Sequence, residues 1–108
     1  MNWKINYTAR ASNDLSSIYE YIAYELFSPD TARSQFNKIV KAVKTLDYMP
    51  MKYKVYDKEP WKSQGVRYFP VGKYLVFYLP EEESGTVSII RIVYGGRDIE
   101  RQLKELTE

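Results

Sequence analysis

The spacing of apolar residues changes midway along this chain, and that change constrains the fold more than any other sequence feature. Between residues 9 and 46 apolar side chains recur every three or four positions, which is typical of amphipathic helices. Between residues 65 and 94 they form runs rich in Val, Ile, Tyr and Phe, which is typical of strands. Because the two kinds of segment are segregated, the sequence predicts an α+β fold with helices packed on one face of a sheet.

Two helices are predicted before residue 50. Thr8 or Ser12 can cap the first, and Ser28 followed by Pro29 can start the second. The connection between them is too short for anything but an antiparallel hairpin, and Pro50 ends the second helix. The apolar stripe of the first helix comprises Leu15, Ile18, Tyr19, Ile22 and Leu26.

The remaining elements complete the order β-α-α-β-β-β-α. A short strand precedes the helices, and a long loop, or a loop around a short strand, occupies residues 51–64. Three strands then form an antiparallel meander, and Asp98 can cap a short terminal helix. The predicted strands are Trp3–Tyr7, Gly65–Val71, Lys73–Leu79 and Thr86–Tyr94.

Length and composition limit what such a chain can do. Its 108 residues predict one domain, 1–108, and the N-terminus lacks the apolar core of a signal peptide. The longest apolar run is only Tyr74 to Leu79, so we expect a cytoplasmic protein with no membrane segment. The chain has no Cys and no His, so any chemistry falls to carboxylates, Lys, Arg or Tyr, and we expect no metal and no cofactor.

Charge is distributed unevenly along the chain. Residues 48–76 carry six cations and two acids, a net +4, whereas residues 8–27 carry one cation and three acids, a net −2. A basic middle segment can attract phosphate or an acidic partner, or it can be a solvated loop.

A series of short motifs spans most of the chain, from Tyr7 to Leu103. The segments are Asp14–Ala23, Pro29 with Ala32, Leu46–Pro50, Arg67, Val71–Gly72, Tyr74, Val76–Tyr78, Ile90–Tyr94, Arg97–Ile99 and Leu103. In this order they resemble the RelE/ParE superfamily of toxins from type II toxin-antitoxin systems. The resemblance implies the RelE/ParE-like fold and a growth-inhibiting, ParE-like plasmid stabilisation toxin. It also implies a cognate antitoxin partner and a toxin-antitoxin hetero-oligomer.

Two kinds of target divide the superfamily: RelE-type members cleave mRNA on the ribosome, and ParE-type members poison DNA gyrase. Cleavage by an RNA 2'-hydroxyl needs a base, an acid and cations for the phosphorane. The candidate catalytic residues, should the protein be RelE-type, are Arg67, Lys73, Arg91, Tyr94 and Arg97.

Each candidate also has a structural interpretation. Arg91 shares a predicted strand face with Val87, Ile89 and Val93, so its guanidinium needs a partner, such as a helix carboxylate like Asp14.

The other four candidates have simpler alternatives. Arg67 can be an exposed strand residue, Lys73 a turn residue, Tyr94 a core residue, and Arg97 part of a helix cap.

Two departures from RelE-type ribonucleases favour gyrase inhibition. Those enzymes tend to be strongly basic and to carry a tyrosine or histidine near the C-terminus. Here residues 99–108 contain neither, and their two cations and three acids give a net −1. An inert relic that only binds antitoxin is a third class, which the sequence does not test.

The loop before the meander carries Tyr53, Tyr56 and Trp61. These aromatic side chains are predicted either to cover the core as a lid or to anchor the antitoxin. A basic, aromatic loop suits an acidic, partly disordered partner.

Overall fold

The computed structural model describes residues 2–96 and 98–104 and confirms the α+β fold in the expected order. Its four strands form one sheet, and two long helices precede the meander. The strands are β1 (Lys4–Tyr7), β2 (Arg67–Val71), β3 (Tyr74–Glu81) and β4 (Thr86–Tyr94). The helices are α1 (Ala9–Glu20), α2 (Pro29–Lys44), the four-residue α3 (Trp61–Gln64) and α4 (Ile99–Lys104).

The strand order in the sheet is β1-β4-β3-β2. The three C-terminal strands form the expected antiparallel meander, whereas β1 pairs in parallel with the first half of β4, with Lys4 opposite Thr86 and Tyr7 opposite Ile89. The helical hairpin therefore lies in the connection from β1, at one edge of the sheet, to β2, at the other edge. Among the described residues, no strand pairs on the β1 side with the second half of β4, residues 90–94.

Both long helices begin where the sequence predicts, but only α1 has a side-chain cap at its N-terminus. The Thr8 hydroxyl accepts the Ala11 N–H at 3.1 Å and donates to the Ile89 carbonyl at 2.8 Å, so one side chain caps α1 and ties it to the sheet. Ser28 makes no side-chain cap, because its hydroxyl donates to Thr31 at 2.7 Å. Pro29 at the first turn suffices to start α2.

The connection between the helices departs from the predicted stripe. Residues Tyr21–Glu25 form a π-helical turn, in which the Leu26 N–H donates to the Tyr21 carbonyl at 3.1 Å. The wider turn shifts the following residues around the helix axis. Leu26 was predicted to continue the buried stripe, and this is wrong, since 54% of its surface is exposed.

The sheet is covered on both faces rather than on one. The long helices pack on the first face, where the core includes Leu15, Ile39, Val43, Phe69, Val76, Tyr78, Val87, Ile89 and Ile92. The loop before β2, with α3 and α4, covers the second face, where the core includes Tyr56, Trp61, Val66, Phe77, Val93 and Leu103. Residues 51–64 are thus a loop containing α3, with one isolated strand bridge between Val55 and Arg67.

A β-bulge decides which side chains share a face on β4. The register with β3 shifts between Phe77 and Tyr78, so that Ile92, not Val93, joins Val87 and Ile89 on the helix side. The predicted alternation, which placed Val93 with Val87 and Ile89, is wrong because a bulge inserts an extra residue into one strand.

Candidate functional site

An open groove runs between the helical hairpin and the far end of the sheet. The volume of this groove is about 1020 Å³. The end of α1 and the π-helical turn form one wall, and the β2–β3 turn with the last residues of β4 forms the other. Three of the predicted candidates, Lys73, Arg91 and Tyr94, line it together with Asp14 and Gln102.

Arg91 at the floor of this groove is held on three sides. Its guanidinium makes a bidentate ion pair with Asp14, with Nε to Oδ2 at 2.7 Å and Nη2 to Oδ1 at 3.1 Å. Its Nη1 donates to the Gln102 carbonyl. The two side chains are only 9% and 13% exposed, so the geometry matches the structural interpretation, a buried pair with a helix carboxylate.

The same residues close the open edge of β4. Asp14 Oδ2 also accepts the Ile92 N–H at 2.9 Å. The Gln102 side chain accepts the Tyr94 N–H at 3.1 Å and donates to the Tyr94 carbonyl at 2.8 Å, as a neighbouring strand would. Arg91, Asp14 and Gln102 therefore fasten α1 and α4 to the strand edge that β1 leaves uncovered.

Arg67 lies outside the groove, at the start of β2. Its Nη1 donates to the carbonyl of Tyr53 at 2.6 Å and to that of Met51 at 3.2 Å. The guanidinium thus satisfies backbone oxygens of the loop before β2. The structure does not bring Arg67 together with Lys73, Arg91 and Tyr94.

The other groove candidates are exposed. Lys73 lies in the β2–β3 turn, and Tyr94 is 45% exposed, so the prediction that Tyr94 is a core residue is wrong. Its ring instead packs edge-on against Tyr74, with centroids 6.1 Å apart. Burial, with smaller contributions from Tyr21 and Tyr94, raises the pKa of Tyr74, which makes this phenol a poorer proton donor and its phenolate harder to form. Arg97 lies outside the described residues.

The aromatic loop is packed against the second face of the sheet. Trp61 and Tyr56 are each 8% exposed, and Tyr56 contacts Trp61, Tyr68 and Phe77 edge-on. Burial and a hydrogen bond to Glu100 raise the pKa of Tyr56, and the same hydrogen bond lowers the pKa of Glu100. Trp61 and Tyr56 thus present little surface to a partner.

Tyr53 differs from the other two loop aromatics. It stacks on Phe69 on the helix side, with centroids 4.4 Å apart, and is half-buried. A role for the three aromatics in antitoxin binding stays a prediction.

No metal centre or membrane segment is found in the part of the chain that the structure describes. Nowhere in residues 2–96 and 98–104 do three acidic, Cys or His side chains gather to hold a metal ion. Nor does any helix in these residues have the length and apolar character needed to cross a bilayer.

Two features of this region were not predicted from the sequence. The amide of Gln102 pairs with the strand edge, but glutamine on a short helix carries no signal for that contact. The exposed aromatic side chains at the hairpin tip were missed because helical periodicity assigns them to a regular helix, and no sequence pattern marks the π-helical turn.

Comparison with solved structures shows that this fold is that of the RelE/ParE superfamily of type II toxins. The structure of a chromosomal ParDE toxin-antitoxin system from P. aeruginosa is 23% identical, with a TM-score of 0.70, over 85% of this chain and 95% of that one. The RelBE2 toxin-antitoxin complex from Mycobacterium tuberculosis is 20% identical, with a TM-score of 0.62, over 87% and 92%. The archaeal RelE-RelB complex from Pyrococcus horikoshii OT3 is 16% identical, with a TM-score of 0.62, over 91% and 100%.

A sequence model of a protein family identifies the family of this chain. Residues 5–99 match the model of the ParE toxin of type II toxin-antitoxin systems, parDE, and the chain belongs to this family. No curated protein sequence matches the chain.

Proposed function

We propose that this protein is a growth-inhibiting toxin that acts in the cytoplasm by binding and inhibiting DNA gyrase, and that a cognate antitoxin neutralises it. The activity is binding without catalysis. Membership of the ParE toxin family supports this target, as does the absence of Tyr and His from residues 99–108.

The observation that carries the proposal is that Arg67 and Arg91 are already held by hydrogen bonds or an ion pair within the protein. A ribonuclease needs unengaged cations aimed at the phosphorane and a positioned acid and base. Arg91 is bound by Asp14 and the Gln102 carbonyl, and Arg67 is bound by two loop carbonyls. Among the residues that the structure describes, the groove lined by Lys73, Arg91 and Tyr94 therefore offers phosphate one lysine rather than a cluster of cations.

RelE-type cleavage of ribosome-bound message is the alternative. Lys73 and Tyr94 favour it, because both are exposed on the rim of one groove. In that case, Arg67 would have to leave the Tyr53 and Met51 carbonyls to reach RNA.

A toxin-antitoxin complex is the proposed resting form. The matched structures from M. tuberculosis and P. horikoshii are a RelBE2 toxin-antitoxin complex and a RelE-RelB complex. In this chain residues 48–76, with a net charge of +4, are complementary to an acidic antitoxin segment.

Expression of the chain alone in bacteria tests the toxin assignment. We expect growth arrest, and recovery when the small open reading frame beside its gene is co-expressed. Normal growth of cells that contain soluble, folded protein would contradict toxin activity.

Substitution of Arg67 separates binding from catalysis. Under our proposal neither the wild type nor Arg67→Ala cleaves ribosome-bound message. The substitution only lowers the stability of the protein, because the Tyr53 carbonyl loses its hydrogen-bond donor. Wild-type cleavage of ribosome-bound message that Arg67→Ala abolishes in a folded protein would instead support the nuclease.

A further inference from the structure

The tip of the helical hairpin exposes a concentration of large apolar side chains. Among the residues that the structure describes, eight large apolar side chains are exposed, and half of them lie between residues 21 and 27. We call residues 20–27 the hairpin knob. Its four apolar members are Tyr21, at 53% exposure, Tyr24 at 69%, Leu26 at 54% and Phe27 at 86%. Aromatic side chains held in water at this density are typical of protein-binding surfaces.

The backbone of the hairpin knob holds these side chains outward. The π-helical turn turns Leu26 away from the core, and Phe27 has a φ of 52°, in the left-handed region that bulky residues rarely adopt. After it, the Ser28 N–H donates to the Ile22 carbonyl at 3.1 Å, which fixes the reversal into α2. The exposed aromatics are therefore presented by a defined turn.

The charge of the hairpin knob limits what can bind it. Residues 20–27 contain two acids, Glu20 and Glu25, and no cation, and both acids are exposed. No ion pair joins either carboxylate to another residue in the described part of the chain. Such a surface repels phosphate and is complementary to a basic protein surface with an apolar pocket.

We propose that the hairpin knob is the surface through which the toxin engages its protein target, with Tyr24 and Phe27 entering an apolar pocket on a basic surface. The inference rests on the proposed inhibition of gyrase and deepens it. An enzyme that handles DNA offers basic surfaces, since it neutralises phosphates with Lys and Arg. An acidic antitoxin is instead complementary to residues 48–76, whose net charge is +4.

Aromatic variants of the hairpin knob test this assignment. Tyr24→Ser and Phe27→Asn remove the anchors, and Asn tolerates the left-handed backbone of residue 27. Tyr48→Ser is the matched control, because Tyr48 is a 61% exposed tyrosine outside the hairpin knob. Each variant is measured for affinity to purified gyrase, inhibition of supercoiling, affinity for the antitoxin and melting temperature.

We expect each hairpin-knob variant to weaken gyrase binding and inhibition by about tenfold or more. Antitoxin affinity and melting temperature should stay near those of the wild type. Tyr48→Ser should keep the wild-type gyrase affinity, inhibition of supercoiling and melting temperature.

Charge reversal gives an independent arm of the same test. Glu20→Lys with Glu25→Lys should weaken gyrase binding and reduce its dependence on salt, because two attractive charges become repulsive. Glu82→Lys with Glu83→Lys, in the exposed β3–β4 turn, is the control for net charge. All four carboxylates are exposed, so these variants keep the test valid should an aromatic variant unfold.

The outcomes distinguish this inference from the proposed function. If the wild type neither binds nor inhibits gyrase, both are overturned. If the wild type inhibits gyrase and the hairpin-knob variants inhibit equally well, the inference alone is overturned. Loss of antitoxin affinity with unchanged gyrase binding would assign the hairpin knob to the antitoxin and also overturn it.

Discussion

Removal of the Arg91 guanidinium should destabilise this protein more than any change to a surface charge. In Arg91→Met the apolar stem is kept, but Asp14 loses a bidentate partner while its side chain remains only 13% exposed. The Gln102 carbonyl loses its donor as well. Leaving one partner of a buried pair without the other costs about 3–5 kcal/mol.

The expected cost translates into a large fall in melting temperature. For a domain near this size, each kcal/mol lowers the melting temperature by about 4–8 °C, so Arg91→Met should melt roughly 12 °C or more below the wild type. Thermal and urea unfolding followed by circular dichroism provide the measurement.

A matched control and a double variant sharpen this test. Arg33 pairs with Asp30 at 3.5 Å, with the two side chains 57% and 99% exposed, so Arg33→Met should cost at most about 1 kcal/mol. Adding Asp14→Asn to Arg91→Met should recover part of the loss, because a neutral amide is easier to bury than an unpaired carboxylate. If Arg91→Met is no less stable than Arg33→Met, the structural role assigned to Arg91 is refuted.

Two further predictions concern the ties that hold the helices and the loop to the sheet. Thr8→Ala should lower the free energy of unfolding by about 0.5–2 kcal/mol, because it removes the cap of α1 and the bond to Ile89; unchanged urea unfolding would contradict that role. Tyr78→Phe should cost about 1–3 kcal/mol by leaving the Pro50 carbonyl without its 2.6 Å donor. Burial raises the pKa of Tyr78 to about 12, so its protonated form contributes stability that is full below pH 10 and is lost as the pH rises towards 12. Wild type and Tyr78→Phe should therefore converge in stability over that range, and parallel pH profiles would count against this assignment.

Much of the fold was predictable because local patterns and long-range packing agree here. The helical hairpin and the meander follow from residue spacing and turn residues, and the pairing of Arg91 with Asp14 follows from the cost of burying an unpaired guanidinium. The predicted pairing is correct although the predicted strand face of Arg91 is wrong, because Arg91 is buried with or without the bulge.

The errors have a common physical origin in local departures from regular geometry. The β-bulge beside Phe77 changes which β4 residues share a face, and the π-helical turn moves Leu26 from the core to the surface. The spacing of apolar residues predicts neither the β-bulge nor the π-helical turn. The parallel pairing of β1 with β4 joins residues about 80 positions apart, so no local pattern reports it.

We propose that this ParE-family toxin inhibits gyrase by binding and does not cut RNA. A supercoiling assay with purified gyrase, run beside a cleavage assay with translating ribosomes, tests it most directly. We predict loss of supercoiling at toxin concentrations that leave ribosome-bound message intact. Codon-positioned cuts in that message, with supercoiling unaffected, would contradict the account.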